Sequence, residues 1–273
     1  MQDLIDVQEN APEYPYDIDV VGIRNLKVPV RILTKDLKEI PSIATFNLYA
    51  SLSKEKRGVH MSRFCEVVQR MARERMLNYE FIYEILKMLK SAIGGRTYAK
   101  AKFDYFISKK SPITEIDNLI PVEIAFRGAL MDDDKYEFAF DVKHTSMSLC
   151  PCSKAISKYN AHNQRAIVTV TISPTDPKDI IWIEDIVDII DECTSGPVYS
   201  VLKRPDEKFV TEYAYEHPVF CEDVVRCIAA KIEEQYKGRY RIAVIRSEHL
   251  ESIHPHNAYA RLILRGDKDG GAK

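Results

Sequence analysis

Apolar and polar residues alternate in period two over several segments of this chain and recur every three to four residues over others. Segments 19–32 (DVVGIRNLKVPVRI) and 42–52 (SIATFNLYASL) read as strands; in the second, Ala44, Phe46, Leu48 and Ala50 share one face and Ile43, Thr45, Asn47 and Tyr49 the other. From Ser62 to Gly95 the spacing turns helical, with Asn78 as an internal N-cap and Gly94-Gly95 as a stop, which predicts two antiparallel helices or one bent helix. Segments 98–108 and 119–130 return to period two, and 131–135 (MDDDK) marks a turn.

The same order then begins again. Segment 136–150 is strand-like, and 165–173 puts Ala166, Val168, Val170 and Ile172 on one face. Helices are expected over 182–193 and over 218–238, where Phe220, Val224, Ile228, Ile232 and Tyr236 make a ladder. Segments 239–247 and 258–266 close the set as strands, with Tyr240, Ile242 and Val244 alternating with Arg241, Ala243 and Ile245. The expectation is an α+β protein of two tandem ββααββ units, 18–133 and 134–268, behind an N-terminal extension 1–17. A local match supports duplication: Phe64-Cys65-Glu66-Val67-Val68 resembles Phe220-Cys221-Glu222-Asp223-Val224-Val225, each near an expected helix start.

Composition narrows the function classes. With 273 residues, 45% of them hydrophobic, the chain can bury a large core, and its net charge of −2 offers no basic field for nucleic acid. No apolar run approaches the length of a membrane span, and the acidic start lacks a basic-then-apolar leader pattern, so a cytoplasmic protein without membrane or nucleic-acid partners is expected. Six cysteines, at 65, 150, 152, 193, 221 and 227, follow no disulfide framework spacing. In a reducing compartment the close pair Cys150 and Cys152 points to metal binding or catalysis rather than to a disulfide.

The chemistry gathers around that pair. Pro151 stiffens the turn, Lys154 is placed to favour a thiolate, and His162 precedes a strand that can run antiparallel to the first. A tight hairpin there would bring thiol and imidazole together, which suits a metal site with an open position and a carboxylate as third ligand. Glu207, Glu212 and Glu222 are the carboxylate candidates, although Asp206 and Glu207 between Arg204 and Lys208 can equally be solvated ion pairs. Segment 248–260 (EHLESIHPHNAYA) sets Glu251 three residues before His254, with His249 and His256 nearby, a loop suited to proton transfer near neutral pH. Surface histidines explain the same pattern. No glycine-rich phosphate loop is present, and the H-x-E at His249 lacks the downstream cysteine pair of a nucleobase deaminase.

SLCPCSK with AHNQRA, LKRPDEKFVTE, FCEDVV, ESIHPHNAYA and the early GVHMSRF together resemble the type IB GTP cyclohydrolases of the tunnelling-fold superfamily, from about residue 18 to 266. The resemblance implies two tandem tunnelling-fold units, a homotetramer with sites between subunits, and hydrolysis of GTP at purine C8 to formate and 7,8-dihydroneopterin triphosphate for folate-type pterins or deazapurines. It implies Cys150, His162 and Glu207 as ligands of one divalent metal (zinc, manganese or iron(II)) and Glu222 as the purine anchor. It also implies His254, oriented by Glu251, as the proton shuttle, and leaves Cys152 as a thiol beside the ligands, an alternative ligand, or a residue that keeps the turn reactive. Lys154, Arg165, Lys203, Arg204, His60 and Arg63 are the cations available to the triphosphate. Two other readings carry weight: a related nitrile reductase using Cys150 as nucleophile with NADPH, against which His162 argues, and a non-catalytic scaffold that binds a purine or pterin.

Overall fold

In the computed structural model, which describes residue 8 and residues 10–266, the period-two segments are strands and the helical-period segments are helices. The order is β1 (Ile18–Leu33), β2 (Glu39–Leu52), α1 (Met61–Glu74), α2 (Tyr79–Ile93), β3 (Thr97–Lys110) and β4 (Asp117–Leu130). It continues β5 (Tyr136–Leu149), α3 (Pro151–Ile156), β6 (Asn163–Pro174), α4 (Ile183–Glu192), β7 (Gly196–Pro197), α5 (Arg204–Glu216), α6 (Cys221–Tyr236), β8 (Tyr240–His249) and β9 (Ala258–Arg265). The result is a mixed α+β architecture on antiparallel strands. The chain divides into two compact units, one running to Phe103 and including Ala125–Ala139, the other formed by Asp104–Ile124 and the chain from Phe140 onward.

In the first unit β1 pairs with β2, and β2 with β3, all antiparallel. The alternation in β2 is decisive: Ala44, Phe46, Leu48 and Ala50 have no solvent exposure, while Ile43 on the other face is 64% exposed. Helices α1 and α2 pack on β1 and β2. The apolar stripe of α1 buries Phe64, Val67, Val68 and Met71, and that of α2 buries Phe81, Ile82, Ile85, Leu86 and Leu89. They are two separate helices because the Asn78 side chain accepts the Phe81 N–H (2.9 Å) and starts a new one. Gly94 and Gly95, at φ 88° and 67°, end α2 in a backbone region that residues with a Cβ avoid.

In the second unit β5 pairs with β6 over ten residues, from Phe140↔Ile172 to Leu149↔Asn163, and β6, β8 and β9 follow in antiparallel order. Ala166, Val168, Val170 and Ile172 are fully buried. Helix α6 packs on β8 and β9. Its Val224, Ile228, Ile232 and Tyr236 are buried, but Phe220 is the N-cap residue and 41% exposed, so the ladder begins one turn later than its spacing suggests. The expected alternation in β8 also slips. A register shift between Ser173 and Pro174, which pair with Ile242 and Tyr240, places an extra residue in β8. Tyr240 therefore points inward with Ala243 and Ile245, while Ile242 is exposed.

Three elements carry too little apolar periodicity to be read from the sequence: α3, β7 and α5. Helix α5 buries only Asp206 and Ala214, so its stripe is nearly absent. The Phe-Cys-Glu match is not a structural equivalence either, since Phe64 lies inside α1 and is fully buried whereas Phe220 precedes α6. A disulfide joins Cys193 and Cys227, 34 residues apart, because the C-cap of α4 and the second turn of α6 bring their Cα atoms to 5.6 Å; no framework spacing announces it. Among the described residues no helix is long and apolar enough to cross a membrane.

Candidate active site

The β5–β6 pair ends where the reactive residues lie. Its last rung, Leu149↔Asn163, is followed by a backbone hydrogen bond from Cys150 N–H to the His162 carbonyl (3.2 Å), so both residues sit at one hairpin mouth. Cys150 then caps α3, its Sγ accepting the Ser153 N–H at 3.5 Å, with Pro151 in the first turn. Cys150 is half-buried and its neighbour Cys152 exposed; neither is disulfide-bonded. Lys154 is committed elsewhere: its ammonium donates to the Tyr215 carbonyl at the end of α5 and lies 4.2 Å from the Tyr215 ring centroid.

The imidazole of His162 is held in one tautomer by a residue that sequence reasoning passed over. Gln164 Nε2 donates to Glu251 Oε1 (3.0 Å), and Gln164 Oε1 faces His162 Nδ1 at 2.6 Å. A carboxylate only accepts, so the amide NH2 must face Glu251 and the amide oxygen must face the ring. That oxygen also only accepts, so Nδ1 carries a hydrogen, and in the neutral ring Nε2 keeps the lone pair. Ser252 Oγ lies 3.3 Å from the same Nδ1. This is the arrangement that orients a metal-ligating histidine through its other nitrogen. The signal for Gln164 was its parity, since it shares a face with Ala166 and Val168 and is buried beside them.

Glu251 therefore spends its carboxylate on Gln164, and its link to His254 is a backbone bond, His254 N–H to Glu251 O (3.4 Å). His254 is exposed and stacks on His256, ring centroids 5.0 Å apart. Glu222 occupies the first turn of α6, exposed, where the helix N-terminus favours a negative charge. Beneath it Cys221 is buried and donates its thiol hydrogen to the Ser247 carbonyl (3.1 Å); burial pushes that thiol's pKa up.

Asp206 and Glu207, adjacent at the start of α5, have opposite environments. Asp206 is fully buried and accepts from the N–H groups of Ile113, Thr114 and Lys203 and from the Thr114 hydroxyl, so it is no solvated ion pair. Burial opposes its charge, but those four donors outweigh it and hold the carboxyl well below the usual carboxylate range. Glu207 is exposed, and its carboxylate makes no hydrogen bond or ion pair among the described residues. Arg165, Lys203 and Arg204 are likewise exposed. His60 and Arg63 belong to the first unit, at the N-terminus of α1, where Arg63 donates to the Ala92 carbonyl. The structure thus links His162 to Glu251 through Gln164, and Cys150 to His162 through one backbone hydrogen bond. Glu207 is not gathered with Cys150 and His162, for among the described residues no three His, Cys, Asp or Glu side chains are close enough to hold a metal ion.

The family model for type I GTP cyclohydrolase folE2 matches residues 4–260. This chain belongs to that family. Proteins named GTP cyclohydrolase FolE2 match it along almost their whole length: the one from Thermosipho africanus is 41% identical over 93% of this chain and 96% of its own, and the one from Azoarcus sp. is 39% identical over 96% and 95%. Among solved structures, a hyperthermostable mutant of Bacillus sp. TB-90 urate oxidase aligns over 91% of this chain and 98% of its own with a TM-score of 0.60 and 8% identity. Uricase from Arthrobacter globiformis aligns over 93% and 95% with a TM-score of 0.54 and 6% identity. At such identities the likeness is one of fold. The FolE2 membership, in contrast, rests on sequence along nearly the full chain, and with it the hairpin mouth, the Glu251 loop and the start of α6 become parts of a GTP cyclohydrolase of folate biosynthesis.

Proposed function

We propose that this chain is a metal-dependent, type IB GTP cyclohydrolase that opens the purine of GTP at C8, releases formate and yields 7,8-dihydroneopterin triphosphate. Family membership carries the GTP cyclohydrolase activity. The observation that supports a metal is the hairpin mouth, where a thiol and an imidazole with its Nε2 lone pair turned free share one end of a strand pair. Sulfur and imidazole suit zinc, and a carboxylate leg also admits manganese or iron(II). We assign that leg to Glu207, brought in when the chain assembles into a homotetramer with sites between subunits. Tandem tunnelling-fold units, in the order ββααββ over β1 to β4, fit the same reading.

Cys150, His162 and Glu207 would hold the divalent ion, which would supply the Lewis acidity that makes water a nucleophile at neutral pH. The remaining work falls to the chain. Glu222 accepts from both N1–H and the exocyclic amine of guanine, a donor pair that adenine lacks, so ATP leaves a carboxylate unmatched. His254, on an exposed loop tied back through Glu251, moves protons to the imidazole nitrogens as the ring opens. Cys152, one residue from Cys150, lies within reach of the same mouth as an accessory thiol. Arg165, Lys203 and Arg204, whose side chains make no ion pair among the described residues, are the foremost cations for the triphosphate; Lys154, His60 and Arg63 are the others. Incubation of the purified protein with GTP and divalent metals tests the reading: formate and a pterin that fluoresces after oxidation are expected in equal amounts. Absence of both with every metal, or equal turnover of ATP, overturns it.

A further inference from the structure

Leu149, the residue before Cys150, is gripped on both of its backbone groups by segments outside the β5–β6 pair. Its N–H donates to Ser195 Oγ (2.9 Å) and its carbonyl accepts the Val219 N–H (3.1 Å). Ser195 is fully buried, and its own N–H donates to the Met147 carbonyl (3.0 Å) beside the pairing of β7 with β5. The Cys193–Cys227 disulfide joins the two sides of this grip. Cys193 is the C-cap of α4, two residues before Ser195, and Cys227 lies on α6, which begins two residues after Val219 and carries Glu222 in its first turn. An ion pair from Lys231 to Glu192 also ties α6 to α4, but it is partly exposed, and such pairs contribute little.

Two observations mark the bond as exchangeable. Cys65, Cys150, Cys152 and Cys221 are free thiols, and a site built on the Cys150 thiol needs surroundings that keep thiols reduced; a disulfide in such surroundings is a labile one. Its halves also differ in access, Cys193 being 4% exposed and Cys227 only half-buried, so an incoming thiolate reaches Cys227 first. We propose that Cys193–Cys227 is a thiol–disulfide exchange site, opened by a dithiol and closed by a disulfide, whose state sets the grip on Leu149 and so the placing of Cys150 against Glu222. The dithiol's thiolate attacks Cys227 Sγ, the S–S bond breaks, and Cys193 leaves as a thiolate that takes a proton. The second thiolate of the same dithiol then attacks the dithiol sulfur of the mixed disulfide and releases Cys227, which takes the other proton. Two electrons pass to the protein, and the dithiol ends as a disulfide. The effect on GTP rests on Glu222 being the purine anchor; the exchange and the grip do not.

The test holds the full chain in dithiothreitol or in its cyclic disulfide, alkylates the free thiols and maps them by mass spectrometry, with amide hydrogen exchange and GTP kinetics on the same samples. The expected result is that Cys193 and Cys227 are alkylated only after reduction, that the Leu149 and Val219 amides then exchange about tenfold faster, and that KM for GTP rises about tenfold. The double variant Cys193→Ala with Cys227→Ala should behave as the reduced wild type in both buffers. A pair that the dithiol leaves bonded in the folded protein, or that opens with no change at Leu149 and Val219, overturns the inference; both readings come from the wild type and decide it even if the double variant does not fold. A KM that responds to the buffer equally in the double variant assigns the response to Cys150, Cys152 or the metal and overturns it as well. Glu222→Ala separates the two levels. Wild-type GTP kinetics in it overturn the anchor reading and leave the exchange site to be judged by the amides, whereas a crippled Glu222→Ala beside a wild-type KM that ignores reduction overturns the link from the disulfide to GTP.

Discussion

Gln164 holds the site's chemistry through one amide. By donating to Glu251 and accepting from His162 it decides which imidazole nitrogen is left with a lone pair. Gln164→Leu, which leaves Cys150, His162 and Glu207 in place, should weaken metal binding about 10–100-fold, read by titration with a competing chelator; unchanged affinity would mean that the tautomer is set elsewhere. His249 makes a second prediction at this scale. Its folded-state pKa, pushed down by burial to about 4, lies below the ordinary 6.5, so as pH falls through 6.5 the unfolded chain takes the proton first. The contribution is complete above that pH and is lost towards pH 4, by up to about 3 kcal/mol. Denaturation midpoints of His249→Gln should therefore fall less between pH 7 and pH 4 than those of the wild type; parallel curves would contradict this. The spacing of Cys150 and His162 made their hairpin legible in the sequence. Gln164 was not, because a polar residue on a buried face announces no partner until the loop that carries Glu251 is folded against it.

Elements with an apolar stripe were legible, and those held by polar contacts were not. The Asn78 cap separates α2 from α1 and the Gly94-Gly95 stop ends α2 before β3, and Asn78→Ala should cost about 1 kcal/mol of stability in chemical denaturation. Helix α5 has the reverse character. Its start is fixed by Asp206 taking four donors, three of them backbone N–H groups, and its pattern of apolar residues says little. Asp206→Leu should lower the melting temperature and, by loosening α5, reduce activity through Glu207; a variant with wild-type melting and activity would remove this element from the account. The slip in β8 has the same origin. Alternation assigns faces only while the register holds, and one extra residue between Tyr240 and Ile242 reverses it.

Across the whole molecule the fold was readable as strand and helix order, while of the candidate site only the hairpin of Cys150 and His162 was readable. Phe46 shows why the order is robust: it lies at the middle of an alternating strand with no exposure, and Phe46→Ala should destabilise by about 3–5 kcal/mol. The centre depends on residues far apart in sequence, and Glu207 is not gathered with Cys150 and His162 within one chain. The most direct measurement is therefore the metal content of the purified protein and its variants, taken with formate release from GTP on the same samples. The account predicts about one divalent ion per wild-type chain, loss of metal and activity in Cys150→Ala and His162→Ala, and loss of activity with metal retained in Glu222→Ala. Full metal in Cys150→Ala and His162→Ala, or metal stripped from Glu222→Ala, would contradict it.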